Sequence, residues 1–141
     1  MSKFQFGKYI VSPHAIERYI ERVMNHRNQL NPEPSKVTER KIRNELSLKN
    51  VLATVNFGEK YKFIFTKSNV EFRFERKTND LWVLTTCIRH LRLMESEEPL
   101  NYRKIKRGDV YGIRTAILIR KHQAKKWNKN STLGEVMNNE N

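Results

Sequence analysis

The chain has 141 residues, enough for a single domain with its own core and too few for two. Its 28 Lys and Arg against 15 Asp and Glu leave a formal charge of +13, which favours a polyanion over an acidic small molecule as partner, RNA first and DNA next. No long apolar run, signal-peptide pattern or lipidation motif accompanies the charge, which sets a membrane partner aside; one cysteine and four histidines at no zinc-like spacing point to an intracellular, cytoplasmic protein working without metal or other cofactor.

In chain order, Phe4 to Val11 read as an extended segment leading into a helix from about Pro13 to about Arg27. Ser12 suits the N-cap and Pro13 the first helical position, where its missing N–H costs nothing. Ile16, Tyr19, Ile20 and Val23 form one apolar stripe, with His14, Arg18, Glu21 and Asn25 opposite and Arg22 on the flank. That polar face has two readings: a grip on phosphate, or a solvated surface laced with Glu/Arg pairs at helical spacing. Asn31-Pro32-Glu33-Pro34 ends the helix. A second begins at Ser35 and turns Val37, Ile42, Leu46 and Leu48 toward the core, with its boundary near Asn50. Val51 to Phe57 either completes that helix or forms a short strand, and Gly58 breaks the run.

Alternation then predicts an antiparallel hairpin. Tyr61, Phe63 and Phe65 alternate with polar and smaller residues, Lys67-Ser68-Asn69 turns the chain, and Val70, Phe72 and Phe74 alternate with Glu71, Arg73 and Glu75. The pattern predicts that the aromatic set is buried together and that Arg73 and its acidic neighbours face the other way, in a well-fixed register. Leu81 to Ile88 is apolar almost throughout, as in a central strand covered on both faces, and places Cys87 in the core. Thr85, Thr86, Arg89 and His90 bring polar groups to its end. After the acidic loop Glu95 to Pro99 the charge reverses. Between Tyr102 and Trp127 lie Arg103, Lys104, Lys106, Arg107, Arg114, Arg120, Lys121, Lys125 and Lys126, with Asp109 as the only acid. Val110, Ile113, Ile117, Ala124 and Trp127 recur at helical spacing, which predicts a long basic C-terminal helix with Asp109 as N-cap, although Ile117-Leu118-Ile119 would also suit a strand. Residues 128–141 are polar and aperiodic, a loosely ordered tail on a domain spanning residues 1–127. The expected fold class is α+β, with N-terminal helices packed on one face of a small antiparallel sheet and a basic C-terminal helix.

A metal-free ribonuclease needs a base for the 2′-hydroxyl proton, an acid for the departing 5′-oxygen and cations around the charge that builds on phosphate. His14, Arg18 and Arg22 lie on one helix, and Arg73, Thr85, Thr86, Arg89 and His90 on or just beyond the sheet, so the two sets can converge if that helix packs nearby. Each also has a plain structural reading: His14 and His90 as surface histidines, Arg73 in salt bridges with its flanking glutamates, and Arg89 paired with the acidic loop. The basic segment, with Tyr102, Tyr111 and Trp127 interleaved, suits nucleic-acid backbone binding better than an idle amphipathic face.

The run Ser12-Pro13-His14-Ala15-x-x-Arg18-x-x-x-Arg22, followed by the hairpin Tyr61 to Glu75 and the strand Leu81 to Thr86, resembles the RelE-like and BrnT-like toxin ribonucleases, together with the phage early-message endoribonucleases of the RegB type. The likeness covers roughly Val11 to His90 and leaves the basic segment outside it. It implies a metal-independent endoribonuclease acting on messenger RNA and leaving a 2′,3′-cyclic phosphate. His14 would be the helix histidine, Arg18 and Arg22 the phosphate-holding arginines, and Thr85 or Thr86 the strand-end hydroxyl. The chain departs from the pattern in the long stretch from Leu30 to Asn50 and in lacking a Lys/Arg-rich strand. Two readings without catalysis stand beside this one: a basic nucleic-acid-binding protein, such as a phage-borne inhibitor of host transcription or of a CRISPR effector, and a module that docks on an acidic protein partner. An antitoxin, the ribosome or a nucleic-acid enzyme would be such a partner.

Overall fold

The computed structural model describes residues 8–24, 35–91, 101–107 and 110–140. It is an α+β fold in which a five-stranded mixed sheet carries helices on both faces. The strands are β1 (Lys8–Val11), β2 (Val51–Phe57), β3 (Tyr61–Thr66), β4 (Val70–Thr78) and β5 (Leu81–Arg89), in the order β1-β5-β4-β3-β2. From β2 to β5 every pairing is antiparallel, as the alternation predicts. β1 adds a parallel edge against β5, so the sheet is mixed rather than purely antiparallel. The helices are α1 (Pro13–Tyr19), α2 (Ser35–Glu45) and α3 (Ile113–Glu140).

α1 does not run on as a regular helix: a π turn, Ile20–Met24, follows it directly, and the rest of the expected stretch to Arg27, like Asn31 to Pro34, lies outside the described residues. α2 starts at Ser35 as expected and buries Thr38 and Ile42, with Leu46 just beyond its end. Leu48, expected in the core, is instead 47% exposed, because a short 3-10 turn at Leu48–Asn50 breaks the helical phase. Val51–Phe57 is a strand, the choice that periodicity left open.

The hairpin register corrects the expected burial of one aromatic set. The loop 67–69 is three residues long with Asn69 at φ 68°, which sets Ile64 across from Phe72 and Phe63 across from Arg73. Residues of like parity therefore share a face, and the aromatics divide between two cores. On one face Ile64, Val70, Phe72, Phe74, Leu84 and Cys87 pack against Ala15 and Tyr19 of α1 and Ile42 of α2. On the other, Val55, Phe57 and Phe65 meet Ile113, Ala116 and Ala124 of α3, with Tyr61 and Phe63 beside them. Each fully buried phenylalanine contributes about 1.5–3 kcal/mol by leaving water, so both faces hold stabilising layers.

Helices on both faces replace the single helical layer predicted from pattern. α3 starts later than expected: Val110 is 67% exposed, a 3-10 turn occupies Tyr102–Lys104, and Asp109 lies outside the described residues. Helical hydrogen bonding also propagates from Asn128 to Glu140, through the segment predicted to be an aperiodic tail. Ile117-Leu118-Ile119 belongs to the helix. Among the described residues no helix is long and apolar enough to cross a membrane.

Candidate functional site

α1 presents the first group of expected residues. Ser12 caps it, its Oγ accepting from the Ala15 N–H at 3.1 Å, with Pro13 in the first turn. Because Ala15 and Tyr19 turn toward the sheet, His14 stands exposed and Arg18 partly exposed on the outer side. Arg18 Nε donates to His14 Nε2 at 3.3 Å, and Arg18 Nη1 pairs with Glu21 at 2.9 Å. The π turn then resets the phase, and Arg22 reaches back to the sheet, donating from Nη1 to the Cys87 carbonyl at 2.9 Å.

Glu45, the last residue of α2, completes this group. Its carboxylate accepts hydrogen bonds from the Tyr19 hydroxyl and the Ser68 hydroxyl, tying α1, α2 and the β3–β4 loop together. Burial raises its pKa above the ordinary carboxylate value, more than the Tyr19 hydrogen bond lowers it. The charges of Arg22, Glu45 and Arg18 reach the Cys87 thiol, the arginines lowering its pKa and the acid raising it. Burial pushes that thiol up to about 12, which leaves Cys87 a core residue and no nucleophile.

Arg73 and His90 do not join them. Strand alternation puts both against the opposite face, where they surround Glu71, a carboxylate with 0% exposure. His90 Nε2 lies 2.8 Å from Glu71 Oε1, while Arg73 Nε and Arg120 Nε reach Oε2 at 2.8 and 3.3 Å. Phe63 and Phe65 wall the cluster: the Arg73 guanidinium lies 4.7 Å from the Phe63 ring centre, and the His90 ring stacks on Phe65 at 6.1 Å. Burial alone would raise the Glu71 pKa. The His90 hydrogen bond, the Arg120 charge and then Arg73 outweigh it, and the carboxyl is held below its ordinary value. Thr85, expected as a catalytic hydroxyl, occupies a bulge in β5, where its Oγ1 donates to the Arg73 carbonyl at 3.1 Å.

The expected convergence of His14, Arg18 and Arg22 with Arg73 and His90 is therefore absent, because the sheet lies between them. Of the expected binding residues, Arg103, Lys104, Lys106, Arg107, Arg114, Lys121, Lys125 and Lys126 are exposed. Arg120 instead turns inward to Glu71 and also donates to Gln123 at 2.8 Å. Sequence reasoning passes over both the half-buried Glu45 and the buried Glu71. Each leaves a trace: Glu45 is an acid at a helix C-terminus, where it opposes the helix dipole, and Glu71 is a charge wedged between Val70 and Phe72.

Among the described residues no three His, Cys, Asp or Glu side chains cluster as a metal site would need. Comparison with protein-family models, with curated proteins and with solved structures finds no match in any of the three, so the chemistry rests on the arrangement of these side chains.

Proposed function

We propose that the protein is a metal-independent endoribonuclease acting on RNA, with its site on the α1 face at His14, Arg18, Arg22 and Glu45. The observation that carries this reading is the His14–Arg18 hydrogen bond on the outer side of α1, with Arg22 of the following turn on the Cys87 carbonyl and Glu45 held by the Tyr19 hydroxyl of the same helix. As Arg18 turns from His14 to the phosphate, the freed Nε2 of His14 takes the proton from a ribose 2′-hydroxyl while that oxygen bonds to the adjacent phosphorus. The P–O5′ bond breaks, and Glu45, whose pKa burial raises, serves as the acid that gives a proton to the departing oxygen. Arg18 and Arg22 offset the charge that builds on the non-bridging oxygens. The products are a 2′,3′-cyclic phosphate and a free 5′-hydroxyl, the chemistry implied by the RelE-like resemblance. The exposed cations between Arg103 and Lys126 add backbone affinity for RNA, with messenger RNA as the expected substrate.

Cleavage of end-labelled, mixed-sequence RNA in EDTA, by wild type and His14→Ala, tests the assignment. Loss of cleavage by a factor of about 100 or more with RNA binding kept is expected. Intact RNA with wild type, with and without ribosomes, would remove the catalytic reading.

One observation favours a second reading. Arg73, Arg120 and His90 are committed to Glu71 on the far face, so α1 has His14 as its only histidine from the expected catalytic set. A basic protein that occupies RNA or DNA without cutting it would need no acid–base pair. Its signature is binding to either nucleic acid that falls steeply with salt and is indifferent to His14→Ala.

A further inference from the structure

Away from α1, the turn ends of the sheet border an open cavity of about 640 Å³. Its floor follows from register. Asn56 pairs with Lys62, whose partner on β4 is Phe74, and Arg76 pairs with Trp82, which sets these side chains in two neighbouring rows at the turn ends of the sheet. The cations crowd the indole: Lys62 Nζ lies 5.4 Å and the Arg76 guanidinium carbon 5.6 Å from the Trp82 ring centre. Arg76 Nη2 donates to the Asn79 carbonyl at 2.8 Å, while its Nε is buried with no acceptor among the described residues. Lys8 adds a third cation to the wall, and Glu59 and Asp80 put carboxylates at the rim.

We infer that this cavity binds a nucleoside phosphate, the phosphate on Lys62 and Arg76 and the nucleoside hydroxyl and amino donors toward Asp80, Glu59 and the two asparagines. The mixture of charges selects against a bare anion, which gains from the cations but is repelled by the carboxylates. A molecule anionic at one end and rich in donors at the other satisfies both. The volume points the same way, since it lies in the range of small-molecule sites and far exceeds a single phosphate group. Burial and the neighbouring Arg76 charge both lower the Lys62 pKa, a strain that a bound phosphate relieves. The ligand is either a free nucleotide or the phosphorylated end of an RNA strand, since both carry this chemistry.

Trp82 and Trp127 are the two tryptophans, so in Trp127→Phe the emission of Trp82 reports on the cavity alone. That protein is titrated with inorganic phosphate, with each of the four nucleoside 5′-monophosphates and with a 5′-phosphorylated RNA oligomer. The expected result is a saturable change in Trp82 emission with at least one nucleotide or with the oligomer, at least about tenfold tighter than with phosphate. Preference for the free nucleotide or for the oligomer identifies the source. Arg76→Gln and Lys62→Ala, with folding checked by circular dichroism, should each weaken binding about tenfold, and Lys62→Ala carries the test if Arg76→Gln does not fold. His14→Ala should leave the response intact whether or not the protein cleaves RNA. No response, a response equal for inorganic phosphate, or one that a folded cavity variant leaves unchanged would overturn the inference.

Discussion

On each face of the sheet a glutamate is drawn in from the surface, Glu45 partly and Glu71 wholly, and the two faces treat it in opposite ways. Glu45, on the α1 and α2 side, is held by two hydroxyl groups and its pKa rises with burial. Glu71, on the α3 side, is more deeply buried, yet three cationic or protonatable side chains keep its pKa low. The difference teaches that burial alone does not decide the state of a carboxyl; the charge of its neighbours does. An acid held by hydroxyl groups keeps a raised pKa, whereas one saturated by ion pairs is a fastener.

The largest expected effect tests the apolar ground common to both sides. Phe72→Ala empties a site with 0% exposure and should cost about 4 kcal/mol in urea unfolding, enough to unfold a marginal domain. Glu71→Ala comes next, at about 3 kcal/mol, since it leaves Arg73, His90 and Arg120 facing one another without their shared anion. The pH dependence sharpens the contrast. Because the folded Glu71 carboxyl lies below its ordinary 4.5, its stabilising contribution is complete above that pH and is lost as pH falls through the lower, folded value. Acid titration of unfolding free energy should therefore be flatter in Glu71→Gln than in wild type.

Ser12→Ala removes the cap of α1 and should cost about 1 kcal/mol by the same measurement. Smallest in stability, and of opposite sense, is Glu45→Gln. With a raised pKa, the Glu45 contribution is complete below 4.5 and lost as pH rises through the folded value, so the amide should match or exceed wild-type stability at pH 7 and lose that advantage in acid. Its RNA cleavage should fall while its melting temperature holds. A joint fall of both would make Glu45 a structural residue like Glu71.

Much of the fold is legible in the residues. Ser12-Pro13 marks the start of α1, Ser35 that of α2, and the alternation of Tyr61 to Glu75 marks the hairpin, because caps and period-two patterns are local. The division of the aromatics between two faces is set by loop length, which pattern alone does not weigh: three residues between Thr66 and Val70 bring like parities together. The parallel placement of β1 against β5 is a long-range pairing with no local signature. The candidate site is legible in half. His14, Arg18 and Arg22 share a helix and so reveal their proximity through spacing, whereas Glu45 reaches them only through the packing of α2 on α1. The fate of His90 depends on Glu71, a charge that alternation assigns to a solvent face but that α3 covers.

The π turn at Ile20–Met24 gives the α1 face a property of its own. A π turn holds one residue more than the α-helical turn it replaces. His14 and Arg18 stand before that extra residue and Arg22 within it, so the separation that places Arg22 over the Cys87 carbonyl depends on the length of the segment as well as on its side chains. Removing one residue ahead of Arg22 would let the turn close as an α-helix and would shift Arg22 relative to His14 and Arg18. Length here acts as a positioning element: the hold of Arg22 on the Cys87 carbonyl depends on the number of residues in the turn as well as on their kind.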